Sequence, residues 1–227
     1  MNKQLTIRHI VFLVPPNTTL LTTVGPLEVF AKAIDLFDSG RGDMNFRYQT
    51  HVVSMDNGKQ INTSSGLPIL SEGSYTEIDY PIDTILVTGL GCYLDPGQKV
   101  AMLEWLKNQS GRIRRICSVC SGAFVLAEAG LLDGRKATAH WSKNEELAQD
   151  FPSIDVQIAR IFIKDGNIYT AAGITSGMDL ALALIEEDLG QSFALDVARW
   201  LVLYLKRPGN QSQFNTYLDC KKIGHPT

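Results

Sequence analysis

Short apolar runs bounded by turn-forming residues alternate along the chain with stretches whose apolar positions recur at helical spacing. The β-rich runs predict strands at Thr6–Val14, Phe46–Ser54, Thr84–Thr88, Ile113–Val119, Ile161–Asp165 and Ile168–Ala171, and a hairpin or ribbon within Ile61–Leu70. Helical patterns predict helices at Pro26–Leu36, Lys99–Leu106, Ser121–Ala129, Glu145–Asp150, Met178–Glu187 and Ala194–Leu205. A strand followed by a helix, repeated in this way, predicts a doubly wound α/β fold with a mostly parallel sheet and helices on both faces. Such folds bind ligands beyond the carboxyl ends of their strands, so candidate chemistry is expected there.

Length and composition are those of an ordinary folded protein with a large core. The chain has 227 residues, of which 44% are hydrophobic and 20% are charged. No internal repeat, low-complexity tract or linker interrupts it, so residues 1–227 are predicted to form a single domain, with a C-terminal tail from about residue 208. A chain of this length needs neither disulfides nor a metal to be stable, and no cofactor is expected.

The charge pattern argues against nucleic acid and membranes as direct partners. The formal net charge is −3, and the densest basic run, Arg112–Arg115, is interpreted as a solvated approach to a strand. The apolar run Ile10–Val14 is too short to span a bilayer, and no small-residue cleavage site follows it. We therefore expect a cytoplasmic protein that does not bind nucleic acid by itself.

The stretch Arg115–Leu126 carries the most informative chemistry in the sequence. A β-branched strand runs into a helix with almost no loop, and Cys120 lies at the corner, followed by the small residues Ser121 and Gly122. This is the pattern of a nucleophile elbow with cysteine in place of serine. A thiol near a helix N-terminus is favoured as the thiolate, and the backbone N–H of Ser121 can face an oxyanion. A second donor is expected from the turn Gly89–Gly91, after the preceding strand.

Two other interpretations of Cys120 stay open. A free cysteine is often simply a small, buried hydrophobic residue. Cys117 and Cys120 also form a C-x-x-C pair, but Cys117 lies inside the strand pattern and should face the opposite side, and no second pair completes a zinc site. The remaining cysteines, Cys92 and Cys220, show no secreted-scaffold spacing, so free thiols and no metal are expected.

His140 is the candidate partner of Cys120. It lies in the connection after the Cys120 helix, directly before Trp141, and this connection can return to the strand-end face. A cysteine and a histidine that are distant in sequence but close in space form an arrangement that activates thiols. Trp141 equally fits a packed structural corner. His9 and His51 lie in strand-like runs and are interpreted as ordinary strand residues.

The block Cys117–Trp141 closely resembles the ThiJ/PfpI group of class I glutamine-amidotransferase-like domains, and most of all the amino-terminal domain of AraC-type transcriptional regulators. Three further segments share this likeness, which covers nearly the whole chain: Gly25–Phe30, Ala172–Ala183 and Arg207–Phe214. The resemblance implies a flavodoxin-like sandwich and frequent homodimerisation. It also implies a pocket formed by Cys120 and His140 together with Thr22, Gly122 and Trp141, and oxyanion donors on the backbone of Leu90 and Ser121, beside Gly89.

Two departures from the family pattern bear on function. Family enzymes usually carry an acidic residue four positions before Pro26, in contact with the elbow cysteine, and here that position is Thr22. A hydroxyl can hydrogen-bond to a thiol, but it cannot act as a carboxylate base at neutral pH. In the regulators, the segment that begins here at Arg207 leads into a helix-turn-helix domain. Only about a dozen residues follow Phe214 in this chain, too few for such a domain.

These observations favour a sensor that binds a small metabolite in the Cys120 pocket and signals through dimer geometry, like the regulatory half of an AraC-type regulator. The alternative is a cysteine-dependent hydrolase or hydratase. In that reaction Cys120 would attack a small amide, isonitrile or aldehyde while His140 or water moves the protons. A third hypothesis is an oxidant sensor, in which Cys120 forms a sulfenic or sulfinic acid.

Overall fold

The computed structural model describes residues 5–41, 45–56, 58–89, 94–203 and 207–209. Its strands are β1 Thr6–Val14, β2 Phe46–Ser54, β3 Gln60–Ile61, β4 Ile69–Leu70, β5 Gly73–Ser74, β6 Ile82–Val87, β7 Arg115–Val119, β8 Lys136–Ala137, β9 Asp155–Val156, β10 Phe162–Asp165 and β11 Ile168–Ala171. Its helices are α1 Leu20–Asp38, α2 Pro96–Ser110, α3 Gly122–Glu128, α4 Asn144–Asp150 and α5 Ser176–Trp200. Short 3-10 turns occur at Tyr75–Glu77 and Trp141–Lys143.

Within these residues, seven strands form one sheet in the order β10-β11-β7-β6-β1-β2-β5. Neighbouring strands run parallel, except for the edge pair β10 and β11, which is antiparallel. The predicted mostly parallel sheet is therefore confirmed. The chain passes from β1 to β2 on one side and later to β6 on the other, so the strand order reverses between β1 and β6. In doubly wound folds, ligands bind in the crevice at this point.

Helices cover both faces of the sheet, as predicted. The core between the sheet and the helices α1 and α5 includes Phe12, Phe30 and Leu184. The core on the opposite face, under α2, α3 and α4, includes Leu13 and Leu126. Phe12 and Leu13 are neighbours in β1 but belong to different cores, because successive side chains of a strand point to opposite faces. A strand buried on both faces needs the continuous apolar run that β1 shows.

The helix boundaries differ from the predicted ones. Helix α1 begins at Leu20 rather than at Pro26 and continues through that proline, which lacks one backbone donor but keeps a helical φ. The two predicted C-terminal helices form one helical run, α5, interrupted at Gly190, where φ is 82°. Positions 204 and 205 of the second predicted helix lie outside the described residues. The two-residue strands β5, β8 and β9 are too short to show a periodic pattern.

The amino ends of the strands are held together by an ion network centred on Asp188 of α5. Its carboxylate accepts hydrogen bonds from Arg115 Nη1 at 3.0 Å, Arg114 Nη1 at 2.8 Å and the Tyr48 hydroxyl at 2.7 Å. Burial opposes ionisation of Asp188, but the arginine hydrogen bonds outweigh it and hold the pKa of the carboxyl well below its usual range. This network lies at the end of the sheet opposite Cys120 and ties α5 to β7.

Candidate functional site

Cys120 occupies the sharp turn between β7 and α3, at the carboxyl end of the sheet. Its φ of 61° lies in the left-handed region, a conformation that costs a non-glycine residue about 1–3 kcal/mol. The backbone N–H of Cys120 donates to the carbonyl oxygen of Ala171 at 2.9 Å, which anchors the turn to β11. The strand, turn and helix thus have the geometry of an elbow, and the chemical role of the thiol stays a prediction.

Gly122 makes this turn possible because it leaves room for β6. A Cβ atom at position 122 would lie 2.2 Å from the carbonyl oxygen of Val87 and 3.0 Å from its carbonyl carbon. Any larger residue would push α3 away from the sheet. The absence of a side chain at Gly122 therefore permits the close contact between α3 and β6.

The surroundings of Cys120 favour the neutral thiol. Burial raises the pKa of the Cys120 thiol, and hydrogen bonds from the backbone and side chain of Ser121 lower it by less. The net direction is therefore opposite to the stabilised thiolate that the sequence led us to expect. Cys117 is fully buried in the core under α1 and α5, where burial raises the pKa of its thiol strongly.

Thr22 and Gly89 converge with Ser121 near the strand reversal. A Cβ atom on Gly89 would lie 3.5 Å from Thr22 Oγ1 and 3.9 Å from Ser121 Oγ. Thr22 is fully buried, and its hydroxyl donates to the carbonyl oxygen of Thr19 at 2.6 Å. Within the described chain its hydrogen-bond partners are Thr18 and Thr19, and the Cys120 thiol is not among them. The hydroxyl of Thr22, at the family's acidic position, therefore forms its hydrogen bonds with residues just before it in the chain.

His140 begins the 3-10 turn after β8. Its Nδ1 lies 2.8 Å from Ser142 Oγ. Its ring packs on Gly173, where an added Cβ would lie 2.9 Å from His140 Cδ2. Burial lowers the pKa of His140, so the neutral imidazole predominates at neutral pH. Among the described residues, no hydrogen bond joins this imidazole to Cys120, so the predicted pair is not directly linked.

A cavity of about 180 Å³ opens beside His140, at the carboxyl end of β11. Its described lining residues are His140, Trp141, Ile161, Ala172, Gly173, Ile174, Thr175, Ser176 and Arg207. Cys120 does not line it, but Ala171, which accepts the Cys120 N–H, directly precedes the lining segment. The predicted residues thus fall into two groups. His140 and Trp141 border the cavity, whereas Thr22, Gly89 and Gly122 gather beside β6.

Arg207 and Thr175 were not predicted as site residues. Arg207 entered the sequence argument only through the segment that carries the family likeness. The available signal was Asp179, a carboxylate in the first turn of α5 directly before the apolar run Leu180–Ile185, because a charge buried there requires a partner. That signal predicts a cation or donor near the start of α5, but it does not say which one.

His9 and His51 are not isolated strand residues. His9 Nδ1 lies 2.9 Å from His51 Nε2, and His51 Nδ1 lies 2.7 Å from a carboxylate oxygen of Glu72. The Tyr80 ring stacks on both imidazoles, with centroid distances of 4.5 and 4.2 Å. Burial, and then the charge of His51, lower the pKa of His9.

The remaining expectations concern a metal site, a membrane-spanning helix and residues that lie outside the described ranges. In the described ranges, no group of three or more His, Cys, Asp or Glu side chains could hold a metal ion. None of the helices in that part of the chain is long and apolar enough to cross a bilayer. Leu90, the predicted oxyanion donor, and the cysteines Cys92 and Cys220 lie outside the described residues.

Comparison with known proteins identifies the relatives of this fold. The model of the DJ-1/PfpI family matches residues 8–187. Isonitrile hydratase from Pseudomonas putida is 31% identical over 200 residues, which cover 86% of this chain and 76% of that protein. The HTH-type transcriptional regulator CdhR from Pseudomonas aeruginosa is 33% identical over 168 residues, which cover 73% of this chain and 48% of the regulator.

The solved structures include a THiJ/PfpI family protein from Pseudomonas syringae. It matches with a TM-score of 0.71 at 26% identity, covering 91% of this chain and 79% of that one. This likeness confirms the flavodoxin-like fold that the sequence resemblance implied.

Proposed function

Because this chain belongs to the DJ-1/PfpI family, we propose that it is a small-molecule-sensing domain resembling the regulatory half of an AraC-type transcriptional regulator. The chain spans about half the length of the helix-turn-helix regulators that it matches. The regulatory function of a whole protein of that kind is therefore part of the proposal.

The observation that carries this proposal is a strained cysteine turn next to a cavity, with neither Thr22 nor His140 bonded to the thiol in the described part of the chain. A nucleophilic cysteine needs a nearby base or a depressed pKa. Here burial raises the pKa of Cys120. The Thr22 hydroxyl donates to Thr19, and His140 is bonded to Ser142. A site built in this way is suited to binding a ligand rather than to turning it over.

We further propose that the domain acts as a homodimer in the cytoplasm. Trp200, the last residue of α5, and Val202, two residues beyond it, are 57% and 87% exposed. Large apolar side chains at one place on a surface suit contact with a second copy of the chain. Light scattering coupled to size exclusion should give twice the chain mass, and a monomer at micromolar concentration would contradict this part of the proposal.

A thermal-shift screen of the full chain against small metabolites tests the sensing proposal. A ligand at one hundred times its Kd stabilises a protein by about 2.7 kcal/mol, which corresponds to a rise in Tm of about 5–10 °C for a chain of this size. Gly173→Ala should abolish that rise, because the added methyl group displaces the His140 ring that borders the cavity.

Gly111→Ala is the matched control for this screen, since a Cβ there meets nothing within 4 Å. It should keep the full ligand response. If no metabolite class raises the Tm, the proposal fails. If Gly173→Ala responds like the wild type, the cavity is not the binding site.

The alternative is a cysteine-dependent hydratase. The elbow conformation of Cys120 and the similarity to isonitrile hydratase favour it. The reaction would add water to an isonitrile carbon and yield an N-substituted formamide. Cyclohexyl isonitrile, incubated with the wild type and with Cys120→Ser, tests it by chromatography of the product. Turnover that is lost in Cys120→Ser would establish the enzyme. The absence of turnover in the wild type would reject this activity for that substrate.

A further inference from the structure

Arg207 lines the cavity beside the elbow, and its guanidinium is held in place by α5. Its backbone N–H donates to Asp179 Oδ1 at 3.0 Å, and its Nε and Nη2 donate to Asp179 Oδ2 at 3.0 and 2.7 Å. Nη2 also donates to Thr175 Oγ1 at 2.9 Å. Nη1 has no partner in the described part of the chain. The orientation of the guanidinium is thus fixed while one of its nitrogens is left without an acceptor.

Asp179 explains why this arrangement is well ordered. Its side chain is only 7% exposed, whereas that of Arg207 is 32% exposed. The buried carboxylate therefore needs the guanidinium, and the pair fixes three N–H directions of the arginine. An arginine that is already oriented loses little conformational freedom when it binds an additional acceptor.

The remaining wall of the cavity is mainly apolar. Trp141 is 53% exposed, and Ile161, Ala172 and Ile174 also line the space. Among the described lining residues there is no aspartate or glutamate that would repel an anion. Burial lowers the pKa of His140, so this neighbour is neutral at neutral pH. A cationic donor at one side and an apolar wall at the other suit a molecule with an anionic head and a hydrocarbon tail.

The size of the cavity restricts the ligand further. A volume of about 180 Å³ corresponds to roughly six water molecules at about 30 Å³ each. Drug-sized ligands occupy pockets of about 300–1,000 Å³, so this space fits a much smaller compound. A planar carboxylate matches the guanidinium geometry, because its oxygens can accept along the N–H directions.

We propose that the cavity binds a small aliphatic carboxylic acid, whose carboxylate accepts hydrogen bonds from Arg207 Nη1 and whose hydrocarbon tail packs on Trp141. This inference rests on the proposed sensing function and adds the chemical class of the ligand and the residue that selects it. In the competing explanation, Arg207 serves only as the counter-ion of Asp179 and takes no part in recognition.

Calorimetric titration of the full chain with matched acids and amides distinguishes these explanations. The probes are straight-chain, branched, hydroxy-substituted and amino-substituted acids of three to six carbons, each paired with its primary amide. In the wild type, the best acid should bind at least about tenfold more tightly than its amide, because a hydrogen bond to a charged partner contributes more than a neutral one. In Arg207→Gln that ratio should fall to near one.

The acid-to-amide ratio is the informative quantity, since general damage to the fold would weaken both ligands alike. If Arg207→Gln does not fold, Arg207→Lys keeps a cation for Asp179 but lacks the Nη1 donors, and its ratio should also fall. Trp141→Ala changes an exposed side chain and should fold normally. It should weaken hexanoate more than propionate while leaving the acid-to-amide ratio unchanged.

Equal binding of acids and amides by the wild type would overturn this inference, as would a ratio that survives in both Arg207 variants. In either case the sensing proposal would stand with a different ligand class. If none of the acids binds, the inference is also overturned, and the broader metabolite screen then decides separately whether the domain is a sensor.

Discussion

The contact between Gly122 and the Val87 carbonyl gives the sharpest test of how the elbow is built. In Gly122→Ala, the new Cβ would start 2.2 Å from the Val87 oxygen and would have to recede by about 1.2 Å to reach an ordinary separation of 3.4 Å. The obstacle is backbone of a central strand, so it cannot rotate away as a flexible side chain would. Either α3 or β6 must move.

The size of the effect follows from two opposing contributions. Overpacking a well-packed site costs about 1–3 kcal/mol, and a rigid backbone neighbour places this case at the upper end. The better helix propensity of alanine returns at most about 1 kcal/mol. We expect a net loss of about 2 kcal/mol in the free energy of unfolding, which lowers the Tm by roughly 4–8 °C for a chain of this size.

Urea unfolding and calorimetric melting measure this loss, with Gly111→Ala as the control. A Cβ at Gly111 meets no atom within 4 Å, so that variant should stay within about 0.5 kcal/mol of the wild type. The reasoning would be refuted if Gly122→Ala and Gly111→Ala unfolded at the same urea concentration. In that case the close approach of α3 to β6 would not require glycine at position 122.

Three further predictions address charge. Asp188→Asn should lower the free energy of unfolding by about 3–5 kcal/mol, because it removes the nearer carboxylate partner of the buried Arg115 and leaves it the longer contact to Glu187 at 3.6 Å. Asp196→Asn, at an exposed ion pair, should cost under about 1 kcal/mol, and similar urea midpoints for the two variants would contradict this. The pKa of His9 is lowered in the fold, so as the pH falls below about 6.5 the unfolded chain binds the proton before the folded chain does. Stability should therefore decrease over that range, and His9→Gln should flatten the dependence of Tm on pH. Because burial raises the pKa of Cys120, alkylation by iodoacetamide should be slow at pH 7 and reach half its maximal rate above about pH 8.5. Fast alkylation of Cys120 at pH 7 would show that the thiol is activated.

The strands were the elements that local pattern predicted best. The bounds of β1 and β2 agree with the prediction to the residue, because their burial requires uninterrupted β-rich runs between turn residues. The strands β10 and β11 also lie close to the predicted runs, and the structure pairs them antiparallel across the two-residue connection Gly166-Asn167. Helix ends were predicted less well. Pro26 looked like a start, yet the helix extends six residues before it.

The site was only partly accessible to the same reasoning. The spacing of strand, cysteine and small residues predicted the turn at Cys120, since close packing of a helix on a strand leaves a recognisable run of small side chains. The hydrogen bond from Thr22 to Thr19 was not predictable, because several backbone acceptors lie within reach of such a hydroxyl. His9 and His51 are 42 positions apart, and their contact depends on the register of β1 against β2.

The sequence by itself therefore determined the class of fold, the order of most of its elements and the place of Cys120 at a strand-to-helix turn. These features depend on periodicity and on residue size, both of which are local properties of the chain. Only the tertiary structure decided which partners the polar groups have. Arg207 reaches Asp179 across 28 positions, and the His140 ring packs on Gly173, 33 positions away. Such pairings are chosen by long-range packing of the whole chain, which places each donor beside the acceptor that burial leaves available.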